Sequence, residues 1–153
     1  MNNKSNPEQI LESLRDYRHR AEGRVQFAEV DSLGVAHNLR YLYWLEWART
    51  EYFRAIGADM SAELFIKKYP VMTVHAEADY FNPARFDDYY SVYTKVSRLG
   101  NSSMVFSNVI TSGKKLLLTA SAVLVHVNPI TGESAPIPDE LRQKIIDFEE
   151  NSH

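Results

Sequence analysis

The feature that most constrains this chain is a run of nineteen residues, Asn38 to Ile56, that holds no glycine or proline and is dense in Leu, Tyr, Trp and Ala. Glycine and proline are the residues that weaken a helix most, so the run reads as one long helix with Gly57 as its C-terminal stop. Its apolar residues cover more than one face, which predicts a helix largely wrapped by other structure. The wrapping is supplied downstream. Between Val71 and Val127 lie VMTVHAEADYF, YYSVYTKVSRL, MVFSNVIT and LLLTASAVLVHV, separated by the turn-forming NPARFDD, LGNSS and SGKK. Each reads as a strand. The first alternates strictly, with Met72, Val74, Ala76, Ala78 and Tyr80 on one side and Thr73, His75, Glu77 and Asp79 on the other. That pattern predicts an antiparallel strand with one buried face. The last is nearly all apolar, as suits a central strand.

The flanks complete the order of elements. Asn6 and Pro7 suit a helix start, and Ile10, Leu14 and Tyr17 then share one face, predicting a helix over residues 7–20. Val25, Phe27 and Glu29 alternate with Arg24, Gln26 and Ala28, predicting a strand before the long helix. Ser61 to Tyr69 is a short polar-apolar stretch, and PDELRQKIIDFEE reads as an amphipathic terminal helix. Helix, strand, long helix, four strands and helix make an α+β fold, an antiparallel sheet packed on one helix. The 153 residues suit a single core.

Composition removes most routes to chemistry. There is no cysteine, which excludes disulfides, Cys-ligated zinc and thiol nucleophiles. The net charge of −3 offers no overall basic field for nucleic acid, although a local basic patch can still take a small anion. Glycines 23, 34, 57, 100, 113 and 132 form no phosphate or dinucleotide fingerprint, and no Gly-x-Ser-x-Gly elbow occurs. His19, His37, His75, His126 and His153 include no pair at helix-face metal spacing, so no metal and no resident cofactor is expected. The first twenty residues carry charges throughout, and Leu116 to Val127 is too short an apolar stretch to span a bilayer. A soluble, cytoplasmic protein without membrane insertion is expected. What remains is a carboxylate helped by backbone dipoles.

Three blocks carry a family resemblance. At residues 31–49 the chain reads DSLGVAHNLRYLYWLEWAR, with Asp31, then Gly34, Asn38 and Tyr41 three, seven and ten positions on. VHAEADYFNPARFDDYYSVYTKV and AVLVHVNPITGESAPIPDELRQ follow in order. Together they resemble the 4-hydroxybenzoyl-CoA thioesterase family of hot-dog proteins over residues 23–145, and are also similar to acyl-acyl-carrier-protein thioesterases. The resemblance implies a hot-dog fold, in which a curved five-stranded antiparallel sheet wraps a long central helix. It also implies homodimers joined along sheet edges, with active sites at the interface, and pairing of dimers into homotetramers. Residues 1–22 then form an N-terminal helical extension and 23–153 the hot-dog domain. The implied activity is hydrolysis of an acyl-CoA. The alternative is a non-catalytic acyl-CoA-binding or scaffold protein of the same fold. A hydratase ranks lowest, because no suitably spaced His and carboxylate pair is visible.

Elementary chemistry agrees with a site at the helix start. Unpaired N–H groups and the positive end of the dipole at Asn38 can stabilise a developing oxyanion. Asp31, just upstream, can attack the carbonyl directly or take a proton from water, the second needing only a positioned base. A turn-forming aspartate is the competing reading of Asp31, and an N-cap that of Asn38. Gly34 permits close approach of substrate or a positive φ. His37 departs from the family, where many members carry a histidine one residue later, so its role as a helper stands apart. Tyr41 belongs to an aromatic cluster that reads mostly as core, with part of it expected to line an acyl or aryl pocket. Glu46 and Arg49 are spaced to pair on the helix, with a supporting role for Glu46 at the pocket as the alternative. Arg98, with Lys95, suits the phosphates of CoA, against the reading of a solvated strand end.

Overall fold

The computed structural model describes residues 5–150; residues 1–4 and 151–153, His153 among them, lie outside that description. Its elements are α1 (Pro7–Glu12), β1 (His19–Arg24), α2 (Arg40–Ala55), α3 (Ala62–Lys68), β2 (Val71–Tyr80), β3 (Tyr89–Leu99), β4 (Ser103–Ser112), β5 (Lys115–His126) and α4 (Asp139–Glu150). The five strands form one antiparallel sheet in the order β1-β3-β4-β5-β2. The sheet packs on α2, giving the α+β hot-dog architecture expected.

The long helix ends as its sequence requires. Gly57, at φ +86°, follows the cap, and the N–H groups of Gly57 and Ala58 bond to the carbonyls of Arg54 and Phe53. These two bonds close the last turn, and only glycine adopts that backbone freely. Tyr41, Trp44, Leu45, Ala48, Tyr52 and Phe53 form the buried face, at helical spacing. Leu42, Tyr43 and Trp47 remain exposed, so the single chain wraps one side of the helix rather than all of it.

Four expectations change. The N-terminal helix stops at Glu12, and a 3-10 turn over Ser13–Asp16 leads to an extended Tyr17. The first strand is His19–Arg24, not residues 24–29, and it crosses the boundary drawn at residue 22. Its inward positions are His19, Ala21 and Gly23, too weak an apolar signal to compete with Val25 and Phe27. Gly23 lies against the Tyr90 ring opposite it, where a Cβ would collide. Phe27–Glu29 instead forms a 3-10 turn closed by a capping box between Gln26 and Glu29. Residues 62–68 form α3, capped by the Ser61 hydroxyl.

The fourth change concerns β2. A bulge between Thr73 and His75 breaks its alternation. Thr73 pairs with Leu124, and Ala76, Ala78 and Tyr80 pair with Ala122, Ala120 and Leu118, so these four share the helix-facing side and Met72 does not. The strand is also an edge, exposed along most of its length, with Met72 54% and Val74 61% accessible.

Candidate active site

Asp31 sits in a tight hairpin immediately before α2. Val30 and Ala36 pair across it, the Asp31 N–H donates to the Val35 carbonyl (2.9 Å), and the Gly34 N–H donates to the Asp31 carbonyl (3.0 Å). Gly34 holds φ +76°, the left-handed conformation this hairpin demands and a branched residue resists. The Gly34 carbonyl accepts from the Phe86 N–H, and Val35 bridges Arg85, which tethers the hairpin to the chain entering β3. Asp31 Oδ1 accepts the Leu33 N–H at 2.8 Å. Oδ2 takes no hydrogen bond from any described residue, and the side chain is exposed. The turn-forming reading therefore accounts for one oxygen and leaves the other open.

The helix start differs in detail from a simple cap. Leu39 is the N-cap residue and caps nothing with its side chain. The ring Nδ1 of His37 accepts the Leu39 N–H at 3.3 Å, and the His37 carbonyl accepts the Arg40 N–H at 2.8 Å. His37, not Asn38, thus supplies the cap. The Asn38 N–H is engaged by no described residue, and its carbonyl accepts the Tyr80 hydroxyl at 2.9 Å.

Side chains outside the 37–40 turn hold this start in place. Glu29 Oε2 accepts the Trp44 Nε1–H at 2.6 Å, while its backbone carbonyl accepts the His37 N–H. Trp44 stacks on Tyr90 with ring centroids 4.0 Å apart. Burial, with the Glu29 carboxylate nearby, pushes the Tyr90 hydroxyl up to about 12, so it stays protonated. The Tyr41 hydroxyl accepts the Ala84 N–H, and its ring meets Tyr80 edge-on. Glu29 and Tyr80 were not singled out in the sequence. Glu29 lies two residues before Asp31 and carries no sign of its bond to Trp44, and only folding brings Tyr80 to the helix start.

Three of the hollows along α2 bear on this region. Asp31 and His37 share one of about 360 Å³, with Glu29 and Tyr43. Asn38 and Tyr41 share a second of about 270 Å³, walled by Tyr80. The 37–40 turn, holding both His37 and Asn38, therefore borders both hollows. The third, of about 460 Å³, lies between the middle of α2 and strands β2 and β5, and Tyr80 also lines it. Glu46 and Arg49 both line this third hollow but form no ion pair, contrary to the expected pairing. Gly34 shapes the hairpin and lines none of the three. Arg98 lies nine residues along β3 from Tyr89, about 30 Å by strand rise, at the opposite end of the sheet from the hairpin. Lys95 lies over the Tyr17 ring, 4.7 Å from its centroid. Among the described residues, no group of three or more His, Asp or Glu is placed to hold a metal. Nor is any helix among them long and apolar enough to cross a membrane.

The family model of the thioesterase-like superfamily matches residues 25–145. The chain belongs to that family. It is 28% identical over 119 residues to the acyl-CoA thioester hydrolase YbgC of Escherichia coli, covering 77% of this chain and 88% of that protein. A putative esterase of Aquifex aeolicus is 28% identical over 124 residues, covering 81% and 94%. A thioesterase of Thermus thermophilus solved with coenzyme A and zinc superposes with a TM-score of 0.77 at 26% identity, covering 90% of this chain and 98% of that one. The hot-dog fold and membership among thioester hydrolases, both expected from the sequence, stand on this footing.

Proposed function

We propose that this protein hydrolyses acyl-CoA thioesters, with Asp31 as general base and the Asn38 N–H as donor to the thioester oxygen. One observation carries the reading: an exposed carboxylate with one oxygen tied down and one open, beside a helix start whose Asn38 N–H is unengaged. The thioester lies across the 37–40 turn. Asp31 takes a proton from water, the water oxygen attacks the carbonyl carbon, and the C–S bond breaks. The proton passes from Asp31 to the departing thiolate, giving free acid and CoA. Water attack is preferred to direct attack by Asp31 because it requires only a positioned base. His37, occupied by capping, orients the turn. The reaction in this form uses no resident cofactor or metal.

The active unit is a homodimer. The two sheet edges differ in a way that supports this. β1 is six residues long and carries Arg20, Glu22 and Arg24, charges that discourage further pairing. β2 is ten residues long and exposes Met72, Val74 and Tyr80, with Tyr80 on the side that faces Leu42 of α2. A second copy placed on β2 by a two-fold axis pairs this open edge and covers its exposed apolar residues. Arg98 reaches a CoA phosphate only from the other subunit. Pairing of dimers into a tetramer and a cytoplasmic location complete the reading.

Purified protein incubated with a panel of acyl-CoAs and a thiol reagent should release CoA well above background. No release from any member would overturn the reading, and tight binding without turnover would favour a binding protein instead. Light scattering on size exclusion should give a dimer or tetramer for wild type and a smaller species for Met72→Lys. A monomeric wild type would refute the dimer.

A further inference from the structure

We propose that Arg49 and Asn108 recognise a hydroxyl group carried on the acyl part of the substrate, in the hollow beneath the middle of α2. This deepens the thioesterase reading and rests on it.

The hollow exists because of two cross-strand pairs. Ala76 faces Ala122, and Ala78 faces Ala120, on the side of β2 and β5 that looks toward α2. Four methyl groups stand where larger side chains would fill the space, and about 460 Å³ stays open. That volume is within the range of small-ligand sites. Small residues alone make room but select nothing.

Two polar residues in the wall of that room supply what could select. Asn108 occupies an inward position of β4 between Phe106 and Ile110, and is 2% exposed. Its Nδ2 donates to the Tyr93 carbonyl and to the Thr94 hydroxyl, which fixes the amide. Its Oδ1 is buried and accepts from nothing among the described residues. A buried acceptor without a donor is uncommon and calls for a partner. Arg49 lines the same hollow from the helix side. It is partly buried and makes no hydrogen bond or close ion pair with a described residue, although the Glu46 carboxylate lies near enough to act on its charge. An orphaned acceptor and a donor without a hydrogen bond among the described residues together match a hydroxyl, which gives one hydrogen bond and accepts another. A carboxylate suits the space less well, because Glu46 and Glu77 also line it.

The hollow is placed for an acyl group. Tyr80 lines both it and the smaller hollow at Asn38, so a chain whose carbonyl sits at the helix start passes Tyr80 to enter.

The test uses butyryl-, hexanoyl- and octanoyl-CoA, each beside its ω-hydroxy counterpart. Hydrolysis gives kcat/KM for each pair. Binding is read in parallel with ketone analogues that carry a methylene between carbonyl and sulfur and cannot be hydrolysed. For at least one chain length, wild type should favour the hydroxylated member by roughly tenfold to a hundredfold in both readouts. Arg49→Met should bring that ratio close to one, and Arg49→Lys should restore part of it. Asn108→Leu, checked for a native melting transition, should reverse the preference toward the plain chain. A wild-type ratio near one at every length overturns the inference, as does a ratio unchanged in Arg49→Met. If both members are hydrolysed alike, only this inference falls. If the analogues bind with the expected preference but no CoA is released, the hydrolytic reading falls and the recognition stands. If neither analogue binds, both fall.

Discussion

The hairpin at residues 30–36 and the hollow beneath α2 serve the same helix but are built in opposite ways. The hairpin is local. Backbone hydrogen bonds within a few residues, one glycine at positive φ and tethers to the chain at residues 84–86 define it. The hollow is dispersed, with walls from α2, β2, β4 and β5 and a shape set by side-chain volumes rather than by any backbone turn. A reacting carboxylate needs fixed geometry, and a short hydrogen-bonded loop on a helix end supplies it. Selection among acyl groups needs shape, and a strand pair can change shape by single substitutions that leave the loop untouched. The division predicts that damage to the hairpin lowers turnover, whereas damage to the hollow changes which substrate is preferred.

The largest effect is expected from Asp31→Ala. Its kcat should fall by about 10²–10⁴-fold, with the preference among chain lengths unchanged. A changed preference would blur the division between the two regions. Next comes Ala78→Leu, which fills part of the hollow. Longer acyl-CoAs should lose about tenfold in kcat/KM relative to the shortest, a difference of one extra contact or clash in an apolar pocket. Uniform loss across the panel would instead point to a disturbed sheet. Tyr80→Phe removes the hydrogen bond to the Asn38 carbonyl at the border of the two regions. Chemical denaturation should show a loss of about 1 kcal/mol.

The smallest effect concerns His19, which lies outside both regions. Burial against Tyr52 lowers its pKa below 6.5, so the folded chain favours the neutral ring. As pH falls from about 6.5 toward the folded value, the unfolded chain takes up the proton first, and stability is lost across that window. His19→Phe should flatten the dependence of the melting temperature on pH there, by roughly 2 °C. The hydrolysis rate per folded molecule should not change.

The same contrast explains what the sequence disclosed. Asp31, Gly34, His37 and Asn38 are contiguous, and the hairpin and helix start they form are visible in the residue types themselves. The four long strands were equally legible, because turn residues separate them and apolar residues mark their inner faces. The hollow was not. Arg49 was read as half of an ion pair with Glu46, because spacing along a helix shows who is near but not what the strands opposite leave open. Asn108 carried a signal, a polar residue at an inward register between Phe106 and Ile110, but only pairing with β3 makes its unsatisfied oxygen apparent. β1 was missed because an edge strand with His19, Ala21 and Gly23 inward has little apolar pattern to detect. β2 carried more pattern than one chain uses, and the surplus is what a second copy would cover.

The most direct test of the central claim compares wild type with Asp31→Asn on the best acyl-CoA, measuring turnover and affinity for the non-hydrolysable analogue in the same preparations. The Asn keeps an oxygen for the Leu33 N–H and removes only the basic carboxylate. The account predicts that kcat falls by about 10²-fold or more while analogue affinity and melting temperature stay near wild type. Retention of full turnover in Asp31→Asn would contradict it.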